Sequence, residues 1–183
     1  MGLNVIENCR IYNVDKIVQI GTVCSYPKFT PVPFNEDSLW DGYPEETNAP
    51  YGIAKKALYV MIKAYEQQYH LNGSVLVPCN LYGPHDNFDP SSSHVIPALI
   101  KKFVEAKANN ENKVVCWGTG NATREFLYVD DASRGIVSSL DKDTGPDPIN
   151  LGGGTEISIK DLAEKIGSIV GYRDWETDRK SVV

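Results

Sequence analysis

Apolar positions recur along this chain in two periods, and the two alternate. Residues 17–22, Ile-Val-Gln-Ile-Gly-Thr, form an apolar run that ends in a glycine and a hydroxyl residue. Such a run suits a buried parallel strand that delivers Thr22 at its C-terminal end. Residues 74–79 form a second continuous run, and Ile149-Asn150-Leu151 a short third one. Between them the spacing becomes helical. Residues 4–12 place Val5, Ile6, Cys9 and Ile11 toward a core. A longer helix opens near Pro50, with Asn48 or Thr47 as its cap, and carries a stripe of Ile53, Ala57, Val60, Met61, Ala64 and Tyr65. It runs to about His70, where Asn72-Gly73 ends it. An apolar helix follows His94, and residues 157–170 have amphipathic helical spacing. Gly152-Gly153-Gly154 follows a strand without the spacing of a phosphate-binding loop and reads as a turn. Strands alternating with helices predict an α/β fold around a parallel sheet.

Composition narrows the function classes. With 183 residues, 42% hydrophobic and 23% charged, the chain is a globular protein and not a disordered one. A net charge of −6 without any basic cluster argues against a nucleic-acid partner. No apolar stretch reaches membrane-spanning length, and residues 1–5 lack the pattern of a secretory signal, so no membrane association and a cytoplasmic location are expected. Cys9, Cys24, Cys79 and Cys116 have no zinc-like spacing, so no metal site is expected and all four read as reduced thiols.

The candidate chemistry centres on Tyr51 and Lys55. On a helix, positions i and i+4 lie one turn apart on the same face, so a phenol and an ammonium would meet there. A tyrosine of pKa about 10 becomes a better proton donor beside a positive charge. Taken alone, a Tyr-x-x-x-Lys pair is more often a surface pair than a catalytic one. Thr22, delivered by the preceding strand, would add a hydroxyl. Cys24 reads as a small apolar filler unless its surroundings activate the thiol. His94 reads as a residue near a helix N-terminus, with an unperturbed pKa near 6.5 that also suits proton shuttling.

Thr22, Tyr51 and Lys55 together resemble the catalytic triad of the extended short-chain dehydrogenase/reductase superfamily. The segments 80–90 (Asn-Leu-Tyr-Gly-Pro-His-Asp-Asn-Phe-Asp-Pro), 93–99, 114–120 and 124–131 are similar to the GDP-L-fucose synthase family within it, and they keep that family's order. The resemblance implies an NAD(P)-binding Rossmann fold joined to a smaller substrate lobe. Residues 1–82 would be the second part of the Rossmann domain, 83–125 a substrate-lobe segment, 126–154 a return to the Rossmann domain and 155–174 a partial substrate lobe. No Gly-rich strand-turn-helix precedes Thr22, so the N-terminal part of that domain is expected to be missing and this chain to be a fragment, folding poorly and inactive alone.

The implied reaction is NADPH-dependent inversion of a GDP-4-keto-6-deoxymannose at two carbons, then reduction of its ketone. By match to the family, Tyr51 donates a proton, Lys55 holds the nicotinamide ribose, and Thr22, standing where serine is usual, bonds the ketone oxygen. Cys24 and His94 match the acid–base pair of the inversion. Gly21, Thr22, Val23, Tyr51, Lys55, Asn80, Leu81 and His94 would touch the cofactor, and Lys102, Trp117 and Arg124 the nucleotide sugar. Lys102 replaces an arginine. A homodimer through the Tyr51 helix is implied as well. Two other readings stay open: a different nucleotide-sugar epimerase or reductase, and an inactive truncated binding or dimerisation module. Residues 175–183 match nothing in the family. The codons GATCGGAAGAGCGTCGTG, a common sequencing-adapter sequence, would encode the last six residues, so an artefactual or disordered tail is expected.

Overall fold

The computed structural model describes residues 1–172 and 175–178. Helix α1 (Gly2–Ile11) leads into strand β1 (Ile17–Ile20), followed by two short 3₁₀ turns, Val23–Ser25 and Glu36–Trp40. Helix α2 (Ala49–Tyr69) precedes β2 (Gly73–Pro78) and β3 (Asn80–Tyr82). Helix α3 (Val95–Ala108), β4 (Val114–Trp117) and β5 (Thr123–Tyr128) come next. The chain closes with α4 (Val129–Leu140), β6 (Pro148–Leu151), β7 (Glu156–Ser158), α5 (Ile159–Val170) and β8 (Trp175–Asp178). Two compact units result. One comprises Met1–Leu81 and Val129–Gly152; the other comprises Tyr82–Tyr128 and the described residues from Gly153 onward.

In the first unit β1, β2 and β6 form a parallel sheet in that order, with Ile20 opposite Leu76 and Leu76 opposite Ile149. All six residues of β2 are buried, while those of β1 and β6 are half-buried. The continuous apolar run 74–79 is what a central strand covered on both faces requires. The core beneath α1 and α2 gathers Ile6, Tyr26, Leu39, Tyr59, Ile62, Leu71, Val75 and Val77. Lys16 closes the other helix of this unit, donating from Nζ to the carbonyls of Ser139 (2.6 Å) and Lys142 beyond α4.

Two helical faces differ from the expected ones. In α1 only Ile6 is buried; Cys9 is half-buried, and Val5 and Ile11 are exposed. In α2 the buried residues are Ala49, Gly52, Lys56, Tyr59 and Ile62, whereas Ile53, Ala57 and Val60 of the expected core stripe face outward. The helix is turned by the close approach of Gly52 to the turn after β1, which carries Lys56 and Tyr59 inward. His70 ends α2 in the left-handed region (φ 58°).

The second unit packs α3 against α5 around Phe103, which is fully buried with Ile96, Leu99, Ala106, Val114, Cys116, Leu162, Ala163 and Ile166. Residues 157–158, expected to be helical, belong to β7, where Ile157 pairs antiparallel with Arg124. Ser158 then caps α5, its Oγ accepting from the Asp161 amide at 3.0 Å, and this fixes the helix start. Trp175–Asp178, expected within an artefactual or disordered tail, pair in parallel with β4 as β8, and Trp175 packs against the Phe103 core. The rest of that expected tail, residues 179–183, lies outside the described residues.

Candidate active site

Strand β1 ends at Ile20, and Gly21 and Thr22 follow at the C-terminal end of the parallel sheet, where open α/β folds place ligands. Thr22 is extended (φ −158°, ψ 143°) and caps the 3₁₀ turn Val23–Ser25, its Oγ1 accepting from the Cys24 amide at 3.2 Å. With the lone pair side of that hydroxyl engaged, its own proton is left to donate elsewhere. Cys24 is a free, half-buried thiol on this turn.

The first turn of α2 is pressed against the Thr22–Ser25 segment. A Cβ on Gly52 would lie 2.3 Å from the Cys24 carbonyl oxygen, so only glycine permits the approach. Tyr51, the neighbour of Gly52, is half exposed. One turn on, Lys55 Nζ donates to the Ile20 carbonyl at 2.8 Å and lies 5.7 Å from the centroid of the Tyr51 ring. The i, i+4 spacing thus does what its geometry predicts. It draws an ammonium from the helix to the end of β1 and past the phenol.

Below this surface lies a buried polar chain that the sequence did not announce. The Thr22 amide donates to Tyr59 Oη at 3.0 Å, Tyr59 Oη lies 3.2 Å from Ser25 Oγ, and Ser25 Oγ donates to the Gly52 carbonyl at 3.2 Å. Ser25 is fully buried and Tyr59 nearly so. Burial holds the Tyr59 phenol above its ordinary pKa, and the nearby Tyr51 and Cys24 side chains add to that shift. Tyr59 therefore stays protonated. No spacing in the sequence signals this chain, because Tyr59 and Ser25 meet only through tertiary packing. Lys56 is also buried, its ammonium 5.3 Å from the Trp40 ring, and burial pushes its pKa down.

The loop beyond this turn is tied back to β6. Tyr26 Oη donates to Asn150 Oδ1 at 2.8 Å, Asn150 Nδ2 donates to the Phe34 carbonyl at 3.0 Å, and the Asn150 amide donates to Glu36 at 2.8 Å. Burial pushes the Tyr26 phenol up to about 12, so it too remains a donor. Asn80 and Leu81 follow the C-terminal end of β2, in β3.

The second unit carries the remaining candidates. His94 is exposed at the N-cap of α3, its carbonyl accepting from the Ala98 amide. Lys102 Nζ donates to the Val115 carbonyl at 3.1 Å and sits 4.6 Å from the Trp117 ring centroid. Trp117 is 75% exposed, so it is no core residue; the alternation of β4 turns Val114 and Cys116 inward and Trp117 outward. Arg124 is exposed on β5 and donates to the Thr123 carbonyl at 2.7 Å. Among the described residues no cluster of His, Cys, Asp or Glu could hold a metal ion, and no helix is long and apolar enough to cross a membrane.

Residues 1–152 match the family model described as the NAD dependent epimerase/dehydratase family. The chain belongs to that family. Within this epimerase/dehydratase family, it is 44% identical over 169 residues to GDP-L-fucose synthase 1 of Arabidopsis thaliana, covering 92% of this chain and 52% of that protein. It is 41% identical over 179 residues to GDP-L-fucose synthase of Escherichia coli K12, covering 93% and 56%. The crystal structure of a GDP-L-fucose synthetase from Naegleria fowleri bound to NADP superimposes with a TM-score of 0.89 at 28% identity, covering 97% of this chain and 57% of that one. The chain thus spans about half the length of the curated relatives it matches. Its parallel sheet β1-β2-β6 is Rossmann-like, as epimerase/dehydratase members require.

Proposed function

We propose that this chain carries the catalytic half of an enzyme that epimerises and reduces GDP-4-keto-6-deoxymannose to GDP-L-fucose with NADPH. The observation that carries the reading is the clustering of Thr22, Cys24, Tyr51 and Lys55 at the end of β1, in a chain whose relatives are named GDP-L-fucose synthases. The residues fit a nicotinamide nucleotide. Lys55 spends one of its three N–H donors on the Ile20 carbonyl, leaving two for ribose hydroxyls. Gly21, Val23, Asn80 and Leu81 follow strand C-termini, where such a nucleotide lies. NADPH supplies a hydride when bound.

The chain's own residues then perform the proton chemistry. Thr22 Oγ1, already accepting from Cys24, donates its hydrogen to the ketone oxygen. Tyr51 Oη donates to the same oxygen and delivers its proton as the alkoxide forms, while the Lys55 ammonium stabilises the phenolate left behind. The same two donors polarise the ketone during inversion, which acidifies the hydrogens on both neighbouring carbons. Cys24 and His94 are the base and acid of that step: one removes a carbon-bound proton and the other returns one to the opposite face. Lys102, Trp117 and Arg124 bind the GDP moiety, Arg124 by its guanidinium on phosphate. The outward stripe Ile53, Ala57 and Val60 suits a homodimer through α2, and four cysteines that read as reduced thiols suit a reducing cytoplasm.

The test is to supply the keto sugar and NADPH in deuterated water to the enzyme completed to the length of its relatives. Solvent deuterium at both carbons beside the ketone, with NADPH consumed, is the expected result. NADPH consumption without exchange overturns the epimerase part, and no consumption overturns the whole reading.

A further inference from the structure

We infer that Tyr59 and Ser25 are positioning residues, linked in one directed hydrogen-bond chain that locks the Thr22 turn to the first turn of α2 and so sets where Thr22 and Tyr51 present their protons. The inference rests on the functional reading above for its kinetic consequence, though not for its geometry.

The direction of the chain follows from donor and acceptor counts. The Thr22 amide can only donate, so Tyr59 Oη accepts there, at 3.0 Å. The Gly52 carbonyl can only accept, so Ser25 Oγ gives it its single proton, at 3.2 Å. The remaining link, 3.2 Å between the two hydroxyls, must then run from Tyr59 to Ser25. Three hydrogens meet three acceptors and none is left over. Because burial keeps Tyr59 neutral, its proton is always available for the middle link.

Two glycines make room for this chain. A Cβ on Gly21 would lie 2.4 Å from Tyr59 Oη, and one on Gly52 would lie 2.3 Å from the Cys24 carbonyl. Gly21 thus lets a phenol reach the end of β1, and Gly52 lets α2 close on the turn. The consequence is that both candidate proton donors hang from the ends of one rigid link. Thr22 is held through its amide, and Tyr51 through the peptide that joins it to Gly52. Neither Tyr59 nor Ser25 is exposed to reach a substrate itself. An error of about 1 Å in such a pair costs on the order of a hundredfold in rate.

The experiment, in the enzyme completed to the length of its relatives, compares Tyr59→Phe, Ser25→Ala and the double variant with the unaltered protein. Keto-sugar reduction is followed by steady-state kinetics, and Thr22 by amide hydrogen exchange. Tyr59→Phe is expected to lower kcat about tenfold to a hundredfold while KM stays within about twofold. It should also speed exchange at the Thr22 amide. Ser25→Ala should lower kcat in the same sense, and the double variant should be no worse than Tyr59→Phe, because one broken chain cannot be broken twice. Unchanged kcat in both single variants, or losses that multiply in the double, overturns the inference, as does a loss confined to KM. If the unaltered protein reduces no keto sugar, the functional reading fails instead, and Thr22 exchange still decides the chain: equal exchange in Tyr59→Phe and the unaltered protein overturns it. If Tyr59→Phe does not fold, Ser25→Ala, which removes the middle and last links and keeps the one from the Thr22 amide, carries the same kinetic test.

Discussion

At the scale of single residues, the proposed site separates into groups that would act and groups that hold them. Tyr51 is half exposed at the helix start, with Lys55 anchored to the Ile20 carbonyl beside its ring. Tyr51→Phe keeps the ring and removes only the proton. It should lower kcat about a hundredfold to ten-thousandfold, as stopped-flow kinetics can check. Gly52→Ala acts differently. Its methyl meets the Cys24 carbonyl, a backbone atom that cannot swing aside, so α2 must back away from the turn. A loss of about 1–3 kcal/mol in unfolding free energy by urea titration is expected, with activity falling alongside. The Tyr51–Lys55 pair could be read from spacing because both residues answer to one helix. The Gly52 contact and the Tyr59–Ser25 chain could not, since each joins residues brought together only by tertiary packing. The same limit applies to Trp117, whose outward position depends on which face of β4 meets α3.

At the scale of elements, the periodicity located α1, α2, α3, α5, β1, β2 and β6, passed over α4 and the other strands, and misjudged which side of two helices is buried. Ile53, Ala57 and Val60 recur as a core stripe does, yet Lys56 and Tyr59 point inward and Val60 is 55% exposed. A spacing rule finds an apolar face; it cannot say whether the sheet or another molecule covers it. Polar residues set the helix phase here, through Tyr59 on one side and a charged clamp on the other. Glu7 of α1 accepts from Arg10 Nε at 2.9 Å and Nη2 at 2.6 Å, and from Tyr65 of α2 at 2.9 Å. Arg10 also lies over the Tyr69 ring at 4.9 Å. The hydrogen bonds from Arg10, and then from Tyr65, lower the Glu7 pKa from 4.5 to about 2. A carboxylate whose folded pKa is depressed favours folding above its unfolded value, and that contribution is lost as pH falls toward the folded one. Melting temperature should therefore drop between pH 4.5 and about 2, and Glu7→Gln should flatten that acid limb while lowering stability at pH 7. Parallel acid limbs in the two proteins would remove Glu7 from the clamp.

At the scale of the whole molecule, the outward stripe of α2 is the feature that the chain's own packing leaves unexplained. Ile53 and Val60 are each about half exposed on a 21-residue helix whose opposite face is fixed to the sheet. Isolated exposed apolar residues need no account, but a stripe at i, i+4, i+7 along a rigid helix is the pattern that helix pairing uses. Pairing of two copies through this face would leave the site intact, because the face that carries Gly52 and Tyr59 is already turned inward. The symmetric arrangement also doubles the value of each apolar contact, since every residue of a two-fold interface is used twice. Ile53→Glu with Val60→Glu places four like charges in such an interface. Sedimentation equilibrium should then show the mass falling from two copies to one, with the circular dichroism spectrum kept. An unaltered mass in the variant would assign the dimer to another surface, and a monomeric unaltered protein would leave α2 without a partner and the homodimer reading without support.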